Sequence, residues 1–331
     1  MAKIKRIGVM TSGGDAPGMN AAIRAATRSG INNGLEVFGI MRGYEGMIDG
    51  DIIPMQTETV SGIIQKGGTF LLTARSQRFR HLEGRIAAYN QLKKFEIDAV
   101  VVIGGDGSFT AANEMSNEFD TTFIGIPGTI DNDLFGTDYT IGFDTALNTV
   151  VEAVDKIRDT ASSHNRTFFI EVMGREAGFV AINSGIASGA EIVLIPEEKG
   201  QLVKARRFLA ERALKNKSSI ILVAEGLEEG GAMDIAEILK PEFPQFDMRV
   251  SILGHIQRGG SPSAKDRVIA TRMGAAAIDA LLDNQKCIMI GLANDKIVHV
   301  PLNKTVKMHK TIDQTLIDLV EEVATLKVAN F

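Results

Sequence analysis

Three loops carry glycines and carboxylates in arrangements that suit phosphate and magnesium chemistry. The first loop, residues 13–20, reads Gly-Gly-Asp-Ala-Pro-Gly-Met-Asn and lies between an apolar run and a helix-like segment. It is not a Walker P-loop, because Met19 and Asn20 stand where Lys and Ser or Thr are required. Glycine still lets backbone N–H groups approach a phosphate, and a following helix N-terminus favours an anion. We predict phosphate binding at this first glycine loop, with a plain strand-to-helix turn as the alternative.

The second glycine loop, residues 104–108, reads Gly-Gly-Asp-Gly-Ser and also follows an apolar run. It lacks the full Gly-x-Gly-x-x-Gly spacing of a dinucleotide fingerprint, which disfavours an oxidoreductase. Three glycines around one carboxylate leave Asp106 accessible to a magnesium ion that carries phosphates. The alternative is a turn in which the Asp side chain bonds its own backbone. The presence of two such loops favours the functional interpretation.

The third loop, residues 127–133, is called the acidic loop and reads Pro-Gly-Thr-Ile-Asp-Asn-Asp. In an extended stretch, residues two apart point to the same side, so Thr129, Asp131 and Asp133 would face one site. One carboxylate could accept a proton from a hydroxyl while the other helps to hold a metal. A solvated acidic loop is the alternative.

A phosphate site without a Walker lysine needs other cations, and the planar fork of arginine suits bidentate phosphate recognition. Each arginine alone is typical of a surface, but five of them follow strands or lie beside glycine: Arg75, Arg166, Arg175, Arg249 and Arg258. Arg24 and Arg28 repel each other at helical spacing, which predicts a second anion site or two solvated side chains. His164 and His255 lack the spacing of zinc ligands. Together these residues indicate phosphoryl transfer, which depends on positioning and charge neutralisation.

The elements that must position these loops alternate between short β-branched runs and longer helix-periodic stretches, which predicts a mostly parallel sheet covered on both faces. Ligands bind such sheets at the carboxyl ends of the strands, where the three loops begin. The predicted strands are residues 7–11, 36–41, 99–103, 122–126, 168–172, 191–195, 219–224 and 288–291. The predicted helices are residues 19–33, 83–95, 144–161, 202–216, 263–282 and 311–325. A change of lobe is expected near residues 142–145.

Composition narrows the class of protein. The 331 residues carry a formal charge of −5, which argues against nucleic acid or an anionic membrane surface as a partner held by net charge. Cys287 is the single cysteine, so a disulfide within the chain and a zinc site of clustered cysteines are excluded. The first thirty residues do not resemble a signal peptide, and the apolar runs are far shorter than the roughly 20 residues of a membrane helix. A soluble, cytoplasmic protein is expected.

Five motifs together resemble the motif set of bacterial-type ATP-dependent 6-phosphofructokinases: residues 11–20, 104–108, 127–133, Met-Gly-Arg at 173–175 and Gly-His-Ile-Gln-Arg-Gly-Gly at 254–260. They occur in family order across about residues 5–290, and the tail after that matches less clearly. Gly-Gly-Asp-Gly alone also occurs in NAD kinases and lipid kinases. The resemblance implies an α/β protein with two Rossmann-like three-layer α/β/α lobes and mostly parallel sheets. An ATP-binding lobe would comprise residues 1–142 and about 258–306, and a fructose 6-phosphate-binding lobe residues 143–257 and about 307–331.

The resemblance also implies a reaction, in which ATP and fructose 6-phosphate give ADP and fructose 1,6-bisphosphate, the committed step of glycolysis. Asp131 matches the general base on the sugar 1-hydroxyl, with Thr129 beside it, and Arg175 matches the residue that stabilises the transferring phosphoryl group. Asp106 matches the Mg²⁺ ligand, and Asp133 is expected to assist it. Nucleotide-binding positions fall on Gly14, Arg75, Ser76, Gly105, Asp106, Gly107 and Ser108. Sugar-phosphate positions of the same subunit fall on Thr129, Ile130, Asp131, Met173, Gly174, Arg175, Glu225, His255, Ile256, Gln257 and Arg258.

The resemblance extends to assembly and regulation. Arg166 and Arg249 match residues that reach into the neighbouring subunit's site, which implies a homotetramer. The family binds ADP as activator and phosphoenolpyruvate as inhibitor, at positions that fall on Arg24, Arg28, Arg158, Gly189, Ala190, Glu191 and Lys217. Thr57 and Glu58 depart from this pattern, because Arg-Tyr would align there. Loss of a cation and gain of a carboxylate predict altered or weak effector control.

Particular residues distinguish ATP from pyrophosphate as the phosphoryl donor and disfavour two other functions. Gly107 and Gly128 resemble the ATP-using branch, whereas pyrophosphate-using relatives tend to carry Asp and Lys there, and a Lys at 128 would occupy the space of the rest of ATP. A pyrophosphate-dependent phosphofructokinase is therefore the runner-up. A non-catalytic nucleotide or sugar-phosphate sensor is the alternative from another class, but it would need no base at Asp131. A dinucleotide oxidoreductase is disfavoured by the absent fingerprint.

Overall fold

The computed structural model of the chain describes residues 4–164, 166–213 and 218–323, which fold into two compact units. Unit 1 contains the described parts of Met1–Ile130, Leu134–Thr145 and Arg258–Lys310. Unit 2 contains the described parts of Asp131–Asp133, Ala146–Gln257 and Thr311–Phe331. Each unit is therefore assembled from stretches that are not contiguous in sequence.

Strands and helices alternate through most of the chain. The strands are β1 (Arg6–Thr11), β2 (Glu36–Ile40), β3 (Ile52–Met55), β4 (Ala99–Gly104), β5 (Thr122–Pro127), β6 (Thr167–Val172), β7 (Ile192–Leu194), β8 (Ser219–Ala224), β9 (Met248–Ile252), β10 (Ile288–Ala293) and β11 (Lys296–Pro301). The α-helices are α1 (Met19–Asn32), α2 (Gly43–Asp49), α3 (Leu82–Lys94), α4 (Asp106–Glu118), α5 (Phe143–His164), α6 (Phe179–Ser188), α7 (Gln201–Ala213), α8 (Ala232–Leu239), α9 (Ala264–Leu282), α10 (Leu302–Thr305) and α11 (Gln314–Val323). Short 3₁₀ turns span Arg78–Arg80 and Gly254–Arg258.

Unit 1 is built on a seven-stranded sheet with the order β11-β10-β5-β4-β1-β2-β3. The strands are parallel except for β3 and β11, which pair antiparallel at the two edges. Strand β1 pairs with β2 on one side and with β4 on the other, so the order of the chain reverses between β1 and β4. Ligands bind doubly wound sheets at this reversal. The loops that follow β1 and β4 are the two glycine loops, which the topology therefore brings to one edge of the sheet.

Unit 2 is built on a four-stranded sheet with the order β7-β8-β6-β9, and all its pairings are parallel. The carboxyl ends of β6, β8 and β9 therefore meet at one edge. Residues 173–178, 225–231 and 253–257 leave the sheet at this edge. The α/β fold class with mostly parallel sheets, one in each unit, is confirmed.

Burial explains which elements the sequence reveals. All eight predicted strands are present, with ends that shift by at most two residues. Strand β3 was not predicted because Pro54 interrupts it, which is tolerated because β3 is an edge strand. Strand β11 contains only exposed and half-buried residues, and its apolar residues are interrupted by His299.

The predicted helices are also present, although residues 214–216 and 324–325 of two of them lie outside the described residues. The prediction missed α4 because this helix begins inside a glycine-rich motif that reads as a loop. It missed α6 because most of its residues are buried, which removes the polar face that marks a surface helix. Within the described residues, no helix is long and apolar enough to span a membrane.

Candidate functional site

The first glycine loop lies directly against an arginine of the same unit. A Cβ added at Gly14 would lie 2.2 Å from Nη1 of Arg258, so the guanidinium occupies the space that any side chain at this position would need. Gly13 and Gly18 have φ angles of 84° and 108°, which favour glycine. The loop thus combines accessible backbone with a neighbouring cation, as a phosphate site requires.

Asn20, which stands where a P-loop needs Ser or Thr, has a different task. Its Nδ2 donates hydrogen bonds to the carbonyls of Lys66 (3.1 Å) and Gly67 (3.2 Å), and its Oδ1 accepts one from the N–H of Phe70 (2.6 Å). A buried amide with all these partners fixes the backbone of residues 66–70. This segment leads to Arg75, which is exposed, and Ser76, whose Oγ accepts a hydrogen bond from the N–H of Phe79 at 3.1 Å.

The second glycine loop packs closely around Ser108. Its Oγ is buried and finds no hydrogen-bond partner among the described residues. A Cβ at Gly104 would lie 2.5 Å from this oxygen, and one at Gly13 would lie 3.3 Å from it, so both glycine loops surround it. Tyr44, which lies outside every motif selected from the sequence, donates a 2.6 Å hydrogen bond to the carbonyl of Ser108. Burial raises the pKa of the Tyr44 hydroxyl well above its usual value, which keeps it a neutral donor.

Asp106 begins α4 immediately after Gly105, and its side chain is exposed. Magnesium that carries phosphates is commonly held by one or two carboxylates and keeps several waters. No group of three or more acidic, histidine or cysteine side chains able to hold a metal occurs among the described residues. Asp106 therefore fits a magnesium ion that arrives with phosphates, rather than one enclosed by protein ligands.

Hydrogen bonds fix the start of the acidic loop within unit 1. The N–H of Gly128 donates to the carbonyl of Gly104 at 2.9 Å, which joins the acidic loop to the second glycine loop. Gly128 also bridges to Ile141, and the Oγ1 of Thr140 donates to the carbonyl of Thr129 at 2.6 Å. A Cβ at Gly105 would make ordinary contact with Thr129 at 3.6 Å. Thr129 thus sits beside the loop that carries Asp106.

The remainder of the acidic loop does not have the expected conformation. Asn132 has a φ of 54°, in the left-handed region, and the chain bends at residues 130 and 131. The prediction of an extended stretch is therefore wrong, and the rule that residues two apart point to the same side does not apply here. Ile130, Asp131 and Asn132 are buried, whereas Asp133 is half-buried. A carboxylate shielded from bulk water is suited to proton transfer.

In unit 2, the loop after β6 is held by side chains from the two neighbouring strand ends. Oε1 of Glu225 accepts hydrogen bonds from the N–H groups of Gly174 (3.3 Å) and Arg175 (2.8 Å). Oε1 of Gln257 accepts one from the N–H of Met173 at 3.1 Å. Arg175 has a φ of 55° and an exposed side chain. Unit 2 therefore brings Met173, Gly174, Arg175, Glu225 and Gln257 together.

Two further arginines of unit 2 share one carboxylate. Nε of Arg166 lies 2.6 Å from Oδ2 of Asp247, and Nε of Arg249 lies 2.9 Å from Oδ1. Hydrogen bonding to Arg166, with a smaller contribution from Arg249, lowers the pKa of Asp247. His255 and Ile256 lie in the 3₁₀ turn that follows β9, and both are exposed. Arg249 is exposed as well, whereas Arg166 is half-buried.

Arg24 and Arg28, the predicted second anion site, belong to unit 1, whereas the other described effector positions belong to unit 2. In unit 1, Arg28 borders a shallow cavity of about 450 Å³ with Ser29, Ile31, Asn32 and Thr57. Its Nη2 donates to the carbonyl of Thr57 at 3.3 Å. The neighbouring Glu58 is exposed, and its pKa is lowered chiefly by backbone and Thr57 hydrogen bonds and also by the charge of Arg28. Arg24 is half-buried one turn earlier on α1.

In unit 2, Arg158 is already engaged by protein atoms. It donates to Oε1 of Glu191 at 3.1 Å and to the carbonyls of Ser188 (3.0 Å) and Gly189 (2.8 Å). Arg212, which the sequence reasoning missed, is buried, with Nη2 3.7 Å from Glu191. The sequence signal for the burial of Arg212 is its spacing of four residues after Phe208, which places both on the buried face of α7. Ala190, between Gly189 and Glu191, is buried. Lys217 lies outside the described residues.

Comparison with a family model and with individual proteins identifies phosphofructokinases in both cases. Residues 6–281 match the phosphofructokinase family. The chain is 56% identical over 325 residues to ATP-dependent 6-phosphofructokinase 2 of Bacteroides thetaiotaomicron, covering 98% of this chain and all of that protein. It is 52% identical over 322 residues to ATP-dependent 6-phosphofructokinase 1 of Thermus thermophilus, covering 97% of this chain and all of that protein.

Solved structures agree on the fold. Pichia pastoris phosphofructokinase in the T-state superposes with a TM-score of 0.86 and 36% identity, covering 98% of this chain and 37% of the longer yeast chain. A pyrophosphate-dependent phosphofructokinase from Nitrosospira multiformis also reaches a TM-score of 0.86, covering 97% of this chain and 91% of that one. Its identity is only 20%, so this likeness concerns the fold alone.

Proposed function

This chain belongs to the phosphofructokinase family and is an ATP-dependent 6-phosphofructokinase, and we propose that Asp131 is the general base of its reaction. The enzyme transfers the terminal phosphoryl group of ATP to the 1-hydroxyl of fructose 6-phosphate, giving fructose 1,6-bisphosphate and ADP. The main support for this reaction and donor is that the chain is 56% and 52% identical, over nearly its full length, to two enzymes named ATP-dependent 6-phosphofructokinase. The pyrophosphate-dependent structure shares the fold at 20% identity and so does not favour the other donor.

Asp131 suits the role of base because it is a carboxylate buried in the acidic loop. It takes the proton from the sugar 1-hydroxyl as that oxygen attacks the terminal phosphorus of ATP, and the bond to the bridging oxygen of ADP breaks. Thr129, fixed by Thr140 at its carbonyl, orients the hydroxyl. Arg175 stabilises the charge on the transferring phosphoryl group, and its exposed guanidinium leaves a loop held by Glu225.

The two glycine loops bind ATP in this proposal. Their accessible backbone N–H groups and the N-termini of α1 and α4 face the phosphates. The residues assigned to the nucleotide are Gly14, Arg75, Ser76, Gly105, Asp106, Gly107 and Ser108. Mg²⁺ bound to the phosphates would neutralise their charge, and Asp106 would hold it with help from Asp133.

Fructose 6-phosphate is assigned to the remaining loops. Backbone, hydrogen-bonding and charged groups for this substrate come from Ile130, Met173, Gly174, Glu225, His255, Ile256, Gln257 and Arg258. Arg166 and Arg249 would reach the sugar phosphate bound to a neighbouring subunit of a homotetramer. Arg249 is exposed and Arg166 is half-buried, and the two share the partner Asp247. This supports the assignment, because one carboxylate leaves guanidinium donors available for a phosphate. In this proposal the ATP-binding lobe has nearly the bounds of unit 1 and the sugar-phosphate-binding lobe nearly those of unit 2, although Ile130 and Arg258 belong to unit 1.

The choice of ATP also fits the space at two glycines. A Cβ at Gly107 would meet nothing within 4 Å, whereas one at Gly128 would lie 3.0 Å from Ile103 and 3.1 Å from Met19. A lysine at position 128 would therefore require these neighbours to move. The enzyme has glycine at both positions, which leaves the space beside Gly107 open and keeps a side chain out of the close packing at Gly128.

We further propose that ADP and phosphoenolpyruvate bind only weakly at Arg24, Arg28, Arg158, Gly189, Ala190, Glu191 and Lys217. The carboxylate of Glu58 beside Arg28, and the protein partners already bound to Arg158, would compete with an effector phosphate. The net acidic charge and the single cysteine support a reducing, cytoplasmic location.

The proposal is tested by measuring fructose 1,6-bisphosphate formation with magnesium and either ATP or pyrophosphate. We expect turnover with ATP, and turnover with pyrophosphate alone would overturn the donor. The variant Asp131→Ser should keep substrate binding and lower kcat by about 10²–10⁴, the usual contribution of a general base. Asp279→Ser, the same substitution at an exposed position on α9, is the matched control. A near-normal kcat in Asp131→Ser would refute the assigned base.

A further inference from the structure

A buried carboxylate outside the assigned reaction residues accepts hydrogen bonds from three donors. Asp266, in the first turn of α9, is 1% exposed. Its Oδ1 accepts a hydrogen bond from the N–H of Gly142 at 2.9 Å. Its Oδ2 accepts bonds from the N–H (2.8 Å) and Oγ1 (2.5 Å) of Thr145. A buried carboxylate is retained only where such partners compensate for its lost hydration.

These bonds form part of a mutual cap between the N-termini of α5 and α9. Ser263 is the N-cap of α9, and its Oγ accepts a bond from the N–H of Asp266 at 3.1 Å. The same Oγ donates to Oδ2 of Asp144 at 2.6 Å, and the N–H of Ser263 donates to Oγ1 of Thr145 at 2.9 Å. Asp266 in turn receives N–H groups at the start of α5, which have no partner within their own helix. Each helix thus satisfies the first turn of the other.

The residues just before α5 hold the start of the acidic loop. Ile141 donates its N–H to the carbonyl of Pro127 at 2.9 Å, and Thr140 bonds the carbonyl of Thr129. Gly142, which Asp266 binds, is the next residue and has a φ of 102°. The first glycine loop meets the same point, since a Cβ at Gly18 would lie 2.7 Å from Ile141 and 3.5 Å from Cβ of Asp266. The side chain of Asp266 therefore lies close to the residues that support the acidic loop and to the first glycine loop.

We propose that Asp266 is a positioning residue for phosphoryl transfer: through Gly142 and Thr145 it fixes residues 140–142, and these fix Thr129 and the backbone leading to Asp131. It does so without touching substrate. The inference rests on the role proposed above for the acidic loop. A carboxylate is required because all three partners donate. An asparagine in the same place would turn an NH₂ group toward at least one N–H or O–H donor.

The test compares Asp266→Asn with Asp279→Asn, which removes an exposed carboxylate from the same helix. Steady-state kinetics with ATP and fructose 6-phosphate are measured well below the melting temperature, on protein shown to be folded. We expect Asp266→Asn to lower kcat by about 10- to 100-fold, the effect of a displacement near 1 Å, with the KM for ATP changed less than threefold. Hydrogen exchange at residues 140–145 should accelerate. A role in stability alone would lower the melting temperature and leave kcat unchanged.

Thr145 provides a second, milder test that remains informative if Asp266→Asn fails to fold. Thr145→Val removes the hydroxyl that donates to Asp266 and should lower kcat about three- to tenfold, whereas Thr145→Ser keeps the hydroxyl and should restore it. In Asp266→Asn, adding Thr145→Val should cost less than twofold, because both changes break one network. Full kcat in Thr145→Val, or in folded Asp266→Asn, overturns the inference. Loss of activity in Asp131→Ser with normal Asp266→Asn would overturn the inference and leave the proposed base intact.

Discussion

Gly14→Ala should impair catalysis while leaving the fold intact, because the new methyl group meets a flexible cation rather than the backbone. The added Cβ would lie 2.2 Å from Nη1 and 2.9 Å from Cζ of Arg258. The φ of Gly14 is outside the left-handed region, so alanine can adopt the local backbone conformation. Alanine also restricts the unfolded chain, which favours folding by about 0.4–1 kcal/mol. We therefore expect the free energy of unfolding to change by no more than about 1 kcal/mol.

The size of the catalytic effect follows from the distance that Arg258 must move. Ordinary van der Waals contact begins near 3.4 Å, so the guanidinium must retreat by at least 1.2 Å. A misplacement of about 1 Å at a phosphate-binding group can lower the rate about 10²-fold. We expect kcat/KM for fructose 6-phosphate to fall about 10- to 100-fold, which corresponds to roughly 1.4–2.7 kcal/mol of transition-state stabilisation.

The assay is a double-mutant cycle on kcat/KM, with denaturant unfolding as the measure of stability. If Gly14→Ala acts by displacing Arg258, its effect should nearly vanish in an Arg258→Ala background, because the displaced group is already missing. An equal loss in both backgrounds would show that alanine disturbs the loop itself, and this would refute the reasoning. A kcat/KM within twofold of the parent enzyme would refute it as well.

Three further predictions concern regulation, pH and the core. Glu58→Gln should strengthen inhibition by phosphoenolpyruvate about two- to fivefold, the worth of one exposed charge pair, in a kinetic titration; unchanged inhibition contradicts the competition proposed at Arg28. Burial raises the pKa of Asp266 in the folded protein above the ordinary carboxyl value. The folded protein therefore holds this proton more tightly than the unfolded chain does. The resulting stability is complete below the ordinary carboxyl pKa and is lost as pH rises through the raised pKa. Thermal unfolding at several pH values should therefore show the parent losing stability relative to Asp266→Asn across this window, and a constant difference would contradict the shift. Phe109→Ala, at a fully buried position, should lower the free energy of unfolding by about 3–5 kcal/mol in a urea titration, and a loss below about 1 kcal/mol would show that the site collapses.

The parts of the fold that depend on continuous apolar burial could be predicted from the sequence. Strand β4 is buried along its whole length, and its run of valines and isoleucine admits few other interpretations. Strand β9 could not be predicted in the same way, because exposed and half-buried residues interrupt it. Helix α4 was hidden because it follows Gly104 and Gly105 directly and has Gly107 in its first turn. Local pattern reveals an element only where burial is uniform or regularly periodic.

Candidate site residues were found where chemistry is concentrated in a short motif. Asp106 and Asp131 stand in glycine-rich or acidic loops and could be selected by residue type and spacing. Asp266 and Tyr44 could not, since their importance comes from partners that are distant in sequence, such as Gly142, 124 positions before Asp266. The expectation that the acidic loop is extended failed because the left-handed Asn132 breaks the alternation of side chains. Position in a motif reveals reacting groups, and only tertiary contacts reveal their supports.

The interrupted path of unit 1 has a consequence for synthesis on the ribosome. Strand β5 pairs with β4 on one side and with β10 on the other, yet β10 begins only at Ile288. While residues 128–287 are being translated, the nascent sheet ends at β5, an apolar strand with an open row of backbone donors and acceptors. Such an edge can pair with other chains. Chains truncated before residue 288 should therefore aggregate or engage chaperones, whereas completion of β10 and its antiparallel partner β11 closes the edge.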